Sequence, residues 1–255
     1  MREKLLIANW KMNFSIKNSI KIFEEMKKKS LEFNFSNNNL KIIICSHYLS
    51  TKSLYDISVE NLFLGVQNIT HLSQNEGPFT GEISAELVKD YVDYSIIGHS
   101  ERRNLLHESN FNISEKLASC VNVNINPILC VGENEETRLK SNHIDFVLNQ
   151  LTDSLKGFKN WDTLKVAYEP LWAIGTGVPC EPNDAKEMIQ AIRSELNNLS
   201  NTNEIPILYG GSVSSTNISN LIDSGEIDGA LIGSSSMDPE EFFKIIDICR
   251  SIWKI

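Results

Sequence analysis

Short apolar segments that favour β-strands recur along the whole chain, separated by longer segments of mixed polarity. Each apolar segment is three to six residues long, which is the length of a buried strand. Because most of them are apolar throughout rather than alternating, we expect both faces of the sheet to be covered. The predicted strands are Leu5–Ala8, Leu40–Cys45, Leu62–Gln67, Tyr94–Gly98, Ile125–Cys130, Lys165–Tyr168, Ile207–Tyr209 and Gly229–Ile232.

Segments between these strands carry apolar residues at the spacing of amphipathic helices. Such a stripe is usually the face that a helix buries against the core, and we predict that role for three of them. The stripes are Ile16, Ile20, Phe23 and Met26; Ala185, Met188, Ile189, Ile192 and Leu196; and Phe242, Ile245, Ile246, Cys249 and Ile252.

Eight strands alternating with helices predict an α/β fold with a parallel sheet. Eight such units in 255 residues match the size of a single-domain (β/α)8 TIM barrel, which would span residues 1–255 as one domain. A doubly wound open sheet is the alternative. The chain has no G-x-G-x-x-G after the first predicted strand and no G-x-x-x-x-G-K-[ST] anywhere, so neither nucleotide-binding signature favours the open sheet.

Composition and charge exclude several classes of partner. Lys and Arg number 24 against 33 Asp and Glu, and the net charge of -9 argues against nucleic acid or an anionic membrane as the main partner. A locally positive pocket for a small anion remains compatible with this charge. The five cysteines form no C-x-x-C pair, and we find neither a secretory signal nor an apolar stretch of membrane-spanning length. We therefore expect a cytoplasmic protein in a reducing compartment.

Polar residues follow several predicted strands at the end where a barrel of this kind carries its active site. Asn9 and Lys11 follow the first strand, His99 follows the fourth and Glu169 follows the sixth. A lysine here is often only a solvated charge, and a single histidine is often only structural. Glu169 is harder to dismiss, because a carboxylate at the end of a buried strand is costly unless it faces a cleft. If a helix begins after His99, its N-terminus disfavours the imidazolium form.

Two turns rich in glycine and serine follow the last two predicted strands. They are Tyr209-Gly210-Gly211-Ser212 and Gly233-Ser234-Ser235-Ser236. Taken singly such turns are common, but loops at these two places in a barrel often bind phosphate through backbone N–H groups. Their paired placement predicts a phosphate site.

The segment after Glu169 combines a rigid start with a permissive end. Pro170 ends the strand, apolar residues follow, and Gly175-Thr176-Gly177 closes the segment. A lid with hinges at both edges and an ordinary strand-to-helix loop fit this pattern equally well. The five histidines show no H-x-x-x-H or H-E-x-x-H spacing, so we predict no metal site.

Five motifs, in order and from end to end of the chain, resemble those of the triosephosphate isomerase family. They are Asn9-Trp10-Lys11-Met12-Asn13, Gly98-His99-Ser100-Glu101-Arg102-Arg103, Leu129-Cys130-Val131-Gly132-Glu133, Tyr168-Glu169-Pro170-Leu171-Trp172-Ala173-Ile174-Gly175-Thr176-Gly177 and Tyr209-Gly210-Gly211-Ser212-Val213. The resemblance implies an isomerase of glycolysis and gluconeogenesis that interconverts dihydroxyacetone phosphate and D-glyceraldehyde 3-phosphate. The reaction would move a proton through an enediolate, without a cofactor.

The resemblance also implies catalytic roles for five residues. Glu169 would be the base, and neutral His99 would polarise the substrate carbonyl. Lys11 would stabilise the developing negative charge, with Asn9 as a nearby polar contact to the substrate. Glu101 would support the site from behind His99 and Lys11.

Asn9 and Lys11 would also bind the substrate, together with a second set of residues. By the same resemblance, Gly175, Ser212, Gly233 and Ser234 would hold the phosphate through N–H groups, and the lid 170–180 would close over the intermediate. Ser234 departs from the family, which has a glycine there. Serine keeps the N–H group, although it tolerates a positive φ less well than glycine does.

A partner is implied as well. Phe79-Thr80-Gly81-Glu82 resembles the loop through which members of the family dimerise, so we expect a homodimer formed through the 68–82 loop with Thr80.

Two other functions remain open from the residues alone. One is another phosphate-handling barrel, such as a sugar-phosphate isomerase of amino-acid biosynthesis, and the other is a catalytically silent binding or scaffold protein on the same fold. The first need not have a lysine, a histidine and a glutamate after strands one, four and six, and the second would normally have lost one of them. This chain keeps Lys11, His99 and Glu169.

Overall fold

Eight parallel strands close into a barrel in the computed structural model, which describes residues 2–32, 39–72, 74–173, 180–223 and 225–255. Each strand pairs with the next along the chain, and the last pairs with the first. The strands are β1 Lys4–Asn9, β2 Leu40–Ser46, β3 Leu62–Val66, β4 Tyr94–Ile97, β5 Asn126–Val131, β6 Lys165–Tyr168, β7 Ile207–Tyr209 and β8 Gly229–Ile232.

Helices lie between these strands and after the last one in the chain, and they pack around the outside of the barrel. They are α1 Ile16–Glu32, α2 Tyr48–Asp56, α3 Ala85–Val88, α4 Ser100–Leu105, α5 Asn110–Asn122, α6 Glu135–Leu139, α7 His143–Ser154, α8 Pro182–Ser200, α9 Ile218–Ile222 and α10 Pro239–Trp253. Two short 3₁₀ turns, Leu171–Ala173 and Ser234–Ser236, follow β6 and β8.

The predicted (β/α)8 barrel is confirmed, and the open-sheet alternative is wrong because β8 pairs with β1. The strand boundaries differ from the predicted ones by a residue at most. β3 ends at Val66, one residue before Gln67. β4 ends before Gly98, whose φ of 70° lies in the left-handed region and stops the extended backbone. β5 lies one residue later than expected.

Apolar side chains cover both faces of the sheet, as the uniformly apolar strands predict. Alternate residues of each strand point to opposite sides. In β1, Leu5 and Ile7 belong to a small buried cluster inside the barrel, whereas Leu6 and Ala8 belong to the larger cluster between the strands and the helices. The core therefore has two layers, and the barrel interior is filled rather than open.

The three helical stripes face this outer layer, with one correction. All five apolar residues of the stripe in α8 are buried, and four of the five in α10 are buried. In α1, Phe23 and Met26 are buried, but Ile16 is 42% exposed, so its assignment to the core is wrong. Ile16 is the first residue of α1. Helical side chains point back toward the N-terminus, so its side chain projects beyond the helix.

Parallel strands place all their carboxyl ends at one end of the barrel. Residues that follow different strands, far apart in the chain, are therefore brought together there. Among the described residues, no helix is both long enough and apolar enough to cross a membrane.

Candidate active site

A cavity of about 500 Å³ opens at the carboxyl end of the barrel. It contains most of the site residues that the sequence predicts, namely Asn9, Lys11, His99, Glu169, Ser212, Gly233 and Ser234. Glu101 lies instead on a neighbouring cavity of about 210 Å³, which shares Asn9, Lys11 and His99 with the first. Gly175 lies outside the described residues, as does the rest of the lid between residues 174 and 179.

Glu169 directly follows β6 and is only 2% exposed. One carboxylate oxygen, Oε2, accepts a hydrogen bond of 2.8 Å from the backbone N–H of Ser100, and the other, Oε1, lies 2.9 Å from Nε2 of His99. Burial alone would raise the pKa of this carboxyl. The charge and hydrogen bond of His99, together with the bonds from Ser100, outweigh burial and lower it. Glu169 is therefore an ionised carboxylate in spite of its burial.

His99 caps the N-terminus of α4, the helix that was expected after it. Its Nδ1 atom accepts a hydrogen bond of 3.2 Å from the backbone N–H of Glu101. Only an unprotonated ring nitrogen can accept, so this bond assigns the proton to Nε2, which donates to Glu169. Burial lowers the pKa of His99, but the nearby carboxylate of Glu169 opposes it and the net shift is upward. The upward shift thus depends on contact with Glu169.

Lys11 has a backbone conformation that is uncommon for a residue with a side chain. Its φ is 51°, in the left-handed region, which costs conformational free energy. Two bonds hold it: the backbone N–H of Lys11 donates to Oδ1 of Asn9 at 3.0 Å, and its carbonyl accepts from Nε2 of Gln67 at 2.8 Å. Its ammonium group lies 2.5 Å from Oε1 of Glu101. The strained turn directs this cation into the cavity.

The two glycine- and serine-containing turns lie side by side and line the same cavity as Lys11. The hydroxyl of Ser235 donates to the carbonyl of Val213 at 2.6 Å and so joins the turn after β8 to the turn after β7. A Cβ atom on Gly233 would lie 3.6 Å from the Lys11 side chain. The structure therefore places a positive charge beside a loop rich in backbone N–H groups, which is an arrangement suited to an anionic ligand.

Comparison with known proteins decides the relationship. The sequence profile of the family described as triosephosphate isomerase matches residues 4–249. Triosephosphate isomerase from Aquifex aeolicus is 39% identical over 251 residues, covering 95% of this chain and 98% of its own length. Those from Finegoldia magna and Dictyoglomus thermophilum are 37% and 38% identical, over 97% and 96% of this chain and 99% of their own lengths. The chain belongs to the triosephosphate isomerase family.

Membership of the triosephosphate isomerase family confirms the expectation, drawn from the five motifs, that the chain is an isomerase. The same family carries the barrel fold described above.

The start of the predicted lid is tied to a carboxylate to which the sequence assigned no role. Glu133 is fully buried, and its Oε1 atom accepts from the hydroxyl of Tyr168 at 3.0 Å and from the indole N–H of Trp172 at 2.8 Å. Arg138 donates to the same oxygen at 3.2 Å, and its guanidinium lies 4.4 Å from the centre of the Trp172 ring. Glu133 therefore anchors the 3₁₀ turn from which the segment 174–179 departs.

Sequence reasoning missed three further groups of the site. Gln67 holds the Lys11 turn, the N–H of Ser100 binds the Glu169 carboxylate, and Arg103 bonds to the turn that carries His99. The sequence predicted a helix N-terminus after His99, and the free N–H groups of such an N-terminus could have pointed to Ser100. No sequence signal identifies Gln67, because its partner Lys11 follows a different strand, and Arg103 was passed over although Gly98 is only five residues earlier.

A metal site was not expected from the histidine spacing. Across the part of the chain that the structure describes, no group of three or more His, Cys, Asp or Glu side chains is placed to hold a metal ion.

Proposed function

We propose that this chain interconverts dihydroxyacetone phosphate and D-glyceraldehyde 3-phosphate by proton transfer through an enediolate. The observation that carries the proposal is the ionised carboxylate of Glu169 lying 2.9 Å from Nε2 of His99, on a cavity that also holds Lys11 and the two N–H-rich turns. Membership of the triosephosphate isomerase family supports the same reaction and a phosphorylated triose as the substrate.

Glu169 is the base in this mechanism, and His99 is the hydrogen-bond donor. A bound substrate places its carbonyl oxygen at Nε2 of His99 and so replaces the carboxylate there. The freed carboxylate removes a proton from the carbon beside the carbonyl, the electron pair of that C–H bond forms the C=C bond, and the carbonyl oxygen becomes negative. The hydroxyl proton on the carbon that lost its hydrogen passes to the former carbonyl oxygen. Return of the proton from Glu169 to the former carbonyl carbon then forms the new carbonyl and completes the isomerisation.

His99 acts as a neutral donor once substrate binds. The Glu169 carboxylate is the main group that raises its pKa, and that contact is lost when the substrate oxygen takes its place. The N–H of Glu101, bonded to Nδ1, keeps the remaining proton on Nε2. A neutral imidazole then stabilises the oxyanion by donating a hydrogen bond that is already oriented.

Lys11 and Asn9 stabilise the charge that develops on the substrate. The Lys11 ammonium lies on the shared wall of both cavities, and Asn9 fixes the backbone that presents it. Glu101 bonds the ammonium and faces Nδ1 of His99 at 3.6 Å, so it positions the two groups relative to each other.

The phosphate binds at the two joined turns, through the N–H groups of Ser212, Gly233 and Ser234, with Gly175 from the lid. Closure of the lid 170–180 excludes water and holds the enediolate until it is reprotonated, because an exposed enediolate phosphate can lose its phosphate group. The bond from the Ser212 hydroxyl to the carbonyl of Ala173, 2.9 Å long, already joins the start of the lid to the phosphate turn.

The assignment of the base is tested by replacing Glu169. In a coupled assay of glyceraldehyde 3-phosphate conversion, Glu169→Gln should lower kcat by about a thousandfold or more, because the amide cannot accept the proton. Glu169→Asp keeps the charge but withdraws it by one methylene, so kcat should fall about a hundredfold with little change in KM.

Two results would contradict the proposal. Near-normal turnover in Glu169→Asp would remove Glu169 from the role of base. A wild-type protein that binds inorganic phosphate but converts neither triose phosphate would favour the silent scaffold instead.

We further propose a cytoplasmic homodimer acting in glycolysis and gluconeogenesis. Met12, beside Lys11, is 95% exposed, and it lines the cavity of about 210 Å³ together with Gln67 and Glu101. Thr80 is exposed, as are residues 74–78 of the same 68–82 loop. Seating that loop in the corresponding cavity of a second copy would cover Met12 and shield Lys11 from solvent.

A further inference from the structure

Arg103 makes four hydrogen bonds from a position outside the catalytic cavity. Nε donates to the carbonyl of Gly98 at 2.8 Å, Nη1 donates to Oδ1 of Asn110 at 2.8 Å, and Nη2 donates to the carbonyl of Cys130 at 3.0 Å. A longer bond of 3.5 Å reaches the hydroxyl of Ser154. One guanidinium thus connects the turn before His99 to β5, α5 and α7.

All of these acceptors are neutral. Among the described residues, no carboxylate lies within ion-pair distance of Arg103. Burial lowers the pKa of its guanidinium to about 10, so it remains charged at neutral pH. The carboxylates whose charge acts on it are Glu169 and Glu108. Glu108 is already bonded by Arg102 and Lys116, each at 2.5 Å, which leaves Glu169 as the carboxylate without a cationic Lys or Arg partner of its own.

Glu169 separates two cavities. The large one faces the proposed substrate. A small one of about 40 Å³, on the reverse side of the carboxylate, is lined by Glu169, Arg103 and Ser100 together with residues of the loop after β5. Arg103 lines only the small cavity, so it lies behind the proposed base and cannot contact the substrate.

We propose that Arg103 is a positioning residue for the isomerisation. Its guanidinium fixes the turn that carries His99 and places an unpaired positive charge behind the carboxylate of Glu169. The inference rests on the proposed function, because it names the residue that holds the base Glu169 and the donor His99 in the positions which that reaction needs. It extends that function because Arg103 touches neither the substrate nor the reacting atoms.

The turn held by Arg103 is one that needs support. Gly98 has a φ of 70°, and a Cβ atom on it would lie 2.9 Å from the Ile113 side chain and 3.1 Å from Nη2 of Arg103. The backbone at this point is therefore enclosed by Arg103 and α5. A shift of the Gly98 carbonyl would move His99 directly, and a misplacement of about 1 Å at a reacting group can cost about a hundredfold in rate.

The other groups that face Glu169 supply little permanent positive charge. His99 contacts it from the start of α4, and the thiol of Cys130 faces it from β5, where burial raises the pKa of that thiol and keeps it neutral. Lys11 lies beyond His99 and is neutralised by Glu101. When the substrate replaces Glu169 at His99, the guanidinium is the permanent cation left near the base.

The test compares two variants by their pH profiles. Arg103→Gln keeps hydrogen-bonding capacity but removes the charge, so the acid limb of the kcat profile, which reports the enzyme with substrate bound, should move up by about one pH unit. Arg103→Lys keeps the charge but not the forked geometry. Its acid limb should stay near that of the wild type, while kcat falls about tenfold or more with KM almost unchanged.

A matched control is available at the opposite end of the barrel. Arg193 is also partly buried, and its guanidinium likewise donates to two backbone carbonyls, those of Ile205 and Glu226. It differs from Arg103 in also donating to the carboxylate of Asp228 at 2.7 Å. Arg193→Gln should lower Tm but leave the pH profile and kcat as in the wild type. A purely structural role for Arg103 would make the two glutamine variants behave alike.

The outcomes test the charge of Arg103 and its forked geometry separately. An acid limb in Arg103→Gln that coincides with the wild type would overturn the role of the charge, and full kcat in Arg103→Lys would overturn the role of the fork. If Arg103→Gln does not fold, Arg103→Lys still tests the forked geometry of the guanidinium. An acid limb that moves upward in Arg103→Lys would overturn the role of the charge. Absence of isomerisation by the wild type would overturn the proposed function itself, and the role of Arg103 in it.

Discussion

At the scale of single residues, the chemistry depends on where one proton lies. The N–H of Glu101 points at Nδ1 of His99, and this bond leaves Nε2 as the donor toward the cavity. The helix that begins at Ser100 supplies that N–H and also the N–H that binds Glu169. One helix N-terminus therefore orients both the proposed base and the proposed donor.

A glycine beside Glu169 gives a prediction at this scale. A Cβ atom on Gly132 would lie 1.8 Å from the carbonyl oxygen of Glu169, far inside van der Waals contact with backbone. Gly132→Ala must therefore push apart the ends of β5 and β6, which are joined by the bond from the Glu169 N–H to the carbonyl of Val131 at 2.8 Å. We expect a loss of about 3 kcal/mol of stability or more, and a kcat lowered about a hundredfold.

Gly157→Ala is the control for Gly132→Ala. Gly157 has a φ of 82°, but a Cβ atom there meets nothing within 4 Å, and the residue is remote from the catalytic cavity. Its substitution should cost about 1 to 2 kcal/mol from the backbone alone and leave kcat unchanged. Denaturant unfolding and steady-state kinetics measure both variants. Wild-type kcat in Gly132→Ala would show that the strand ends separate without moving the base.

At the scale of elements, one carboxylate at the amino end of the barrel joins the strands at which the sheet closes. Asp228, fully buried just before β8, accepts bonds from Arg2 and Lys4 at the start of β1 and from Arg193 on α8, at 2.8, 2.9 and 2.7 Å. It also accepts from the N–H of Ile207, the first residue of β7. The first, seventh and eighth strands meet at this group, which lies where the sheet closes.

Removal of this carboxylate should destabilise the barrel strongly. Asp228→Ala leaves the guanidinium of Arg193 in a largely enclosed place without its acceptor, and we expect a loss of about 3 to 5 kcal/mol. That loss corresponds to a fall in Tm of roughly 10 °C, measurable by calorimetry. As a control, Asp56→Ala breaks an exposed pair with Lys52 and should hardly change Tm.

The same carboxylate sets a pH dependence of stability. Burial raises the pKa of Asp228, but the three cations outweigh burial and lower it below its ordinary value. Its contribution is therefore complete above the pKa of an unfolded aspartate, about 3.9, and is lost as pH falls through the lowered folded value. Stability that differs between wild type and Asp228→Ala by a constant amount down to the most acid pH would contradict this account.

At the scale of the whole molecule, the eight strands form one closed ring, and we propose that residues 1–255 fold as one domain. The first and last strands pair with each other, so neither half of the chain can complete its sheet alone. A single calorimetric unfolding transition is the expected result, and two separate transitions would contradict it.

Assembly is the second property at this scale. If the 68–82 loop of one copy enters the cavity beside Lys11 of another, Thr80→Arg should block it, because the arginine side chain is much larger than that of threonine and the cavity measures only about 210 Å³. Analytical ultracentrifugation should give twice 28.8 kDa for the wild type and 28.8 kDa for Thr80→Arg. Thr152→Arg, on α7, is the matched control and should remain a dimer. An unchanged mass for Thr80→Arg would remove this loop from the interface.

Much of this arrangement was predictable from the sequence, for a physical reason. Apolar runs and helical stripes are local patterns, so they identify the eight strands and the barrel, and the rule that function gathers at the strand ends picks out Lys11, His99 and Glu169. The family motifs are likewise contiguous stretches of sequence. Local pattern gave wrong predictions only at the ends of elements. Ile16 is an example, because it is the first residue of α1 and its side chain projects beyond the helix.

Only the tertiary structure decided which groups act on one another. Glu169 is bonded to Ser100, Gln67 supports Lys11, and Arg103 lies behind Glu169, and in each case the two partners belong to different β/α units or strand ends. The pKa of a carboxylate and the position of a proton depend on distances of a few ångströms across the barrel. No pattern along the chain encodes those distances, because they are set by how eight strands close around a common axis.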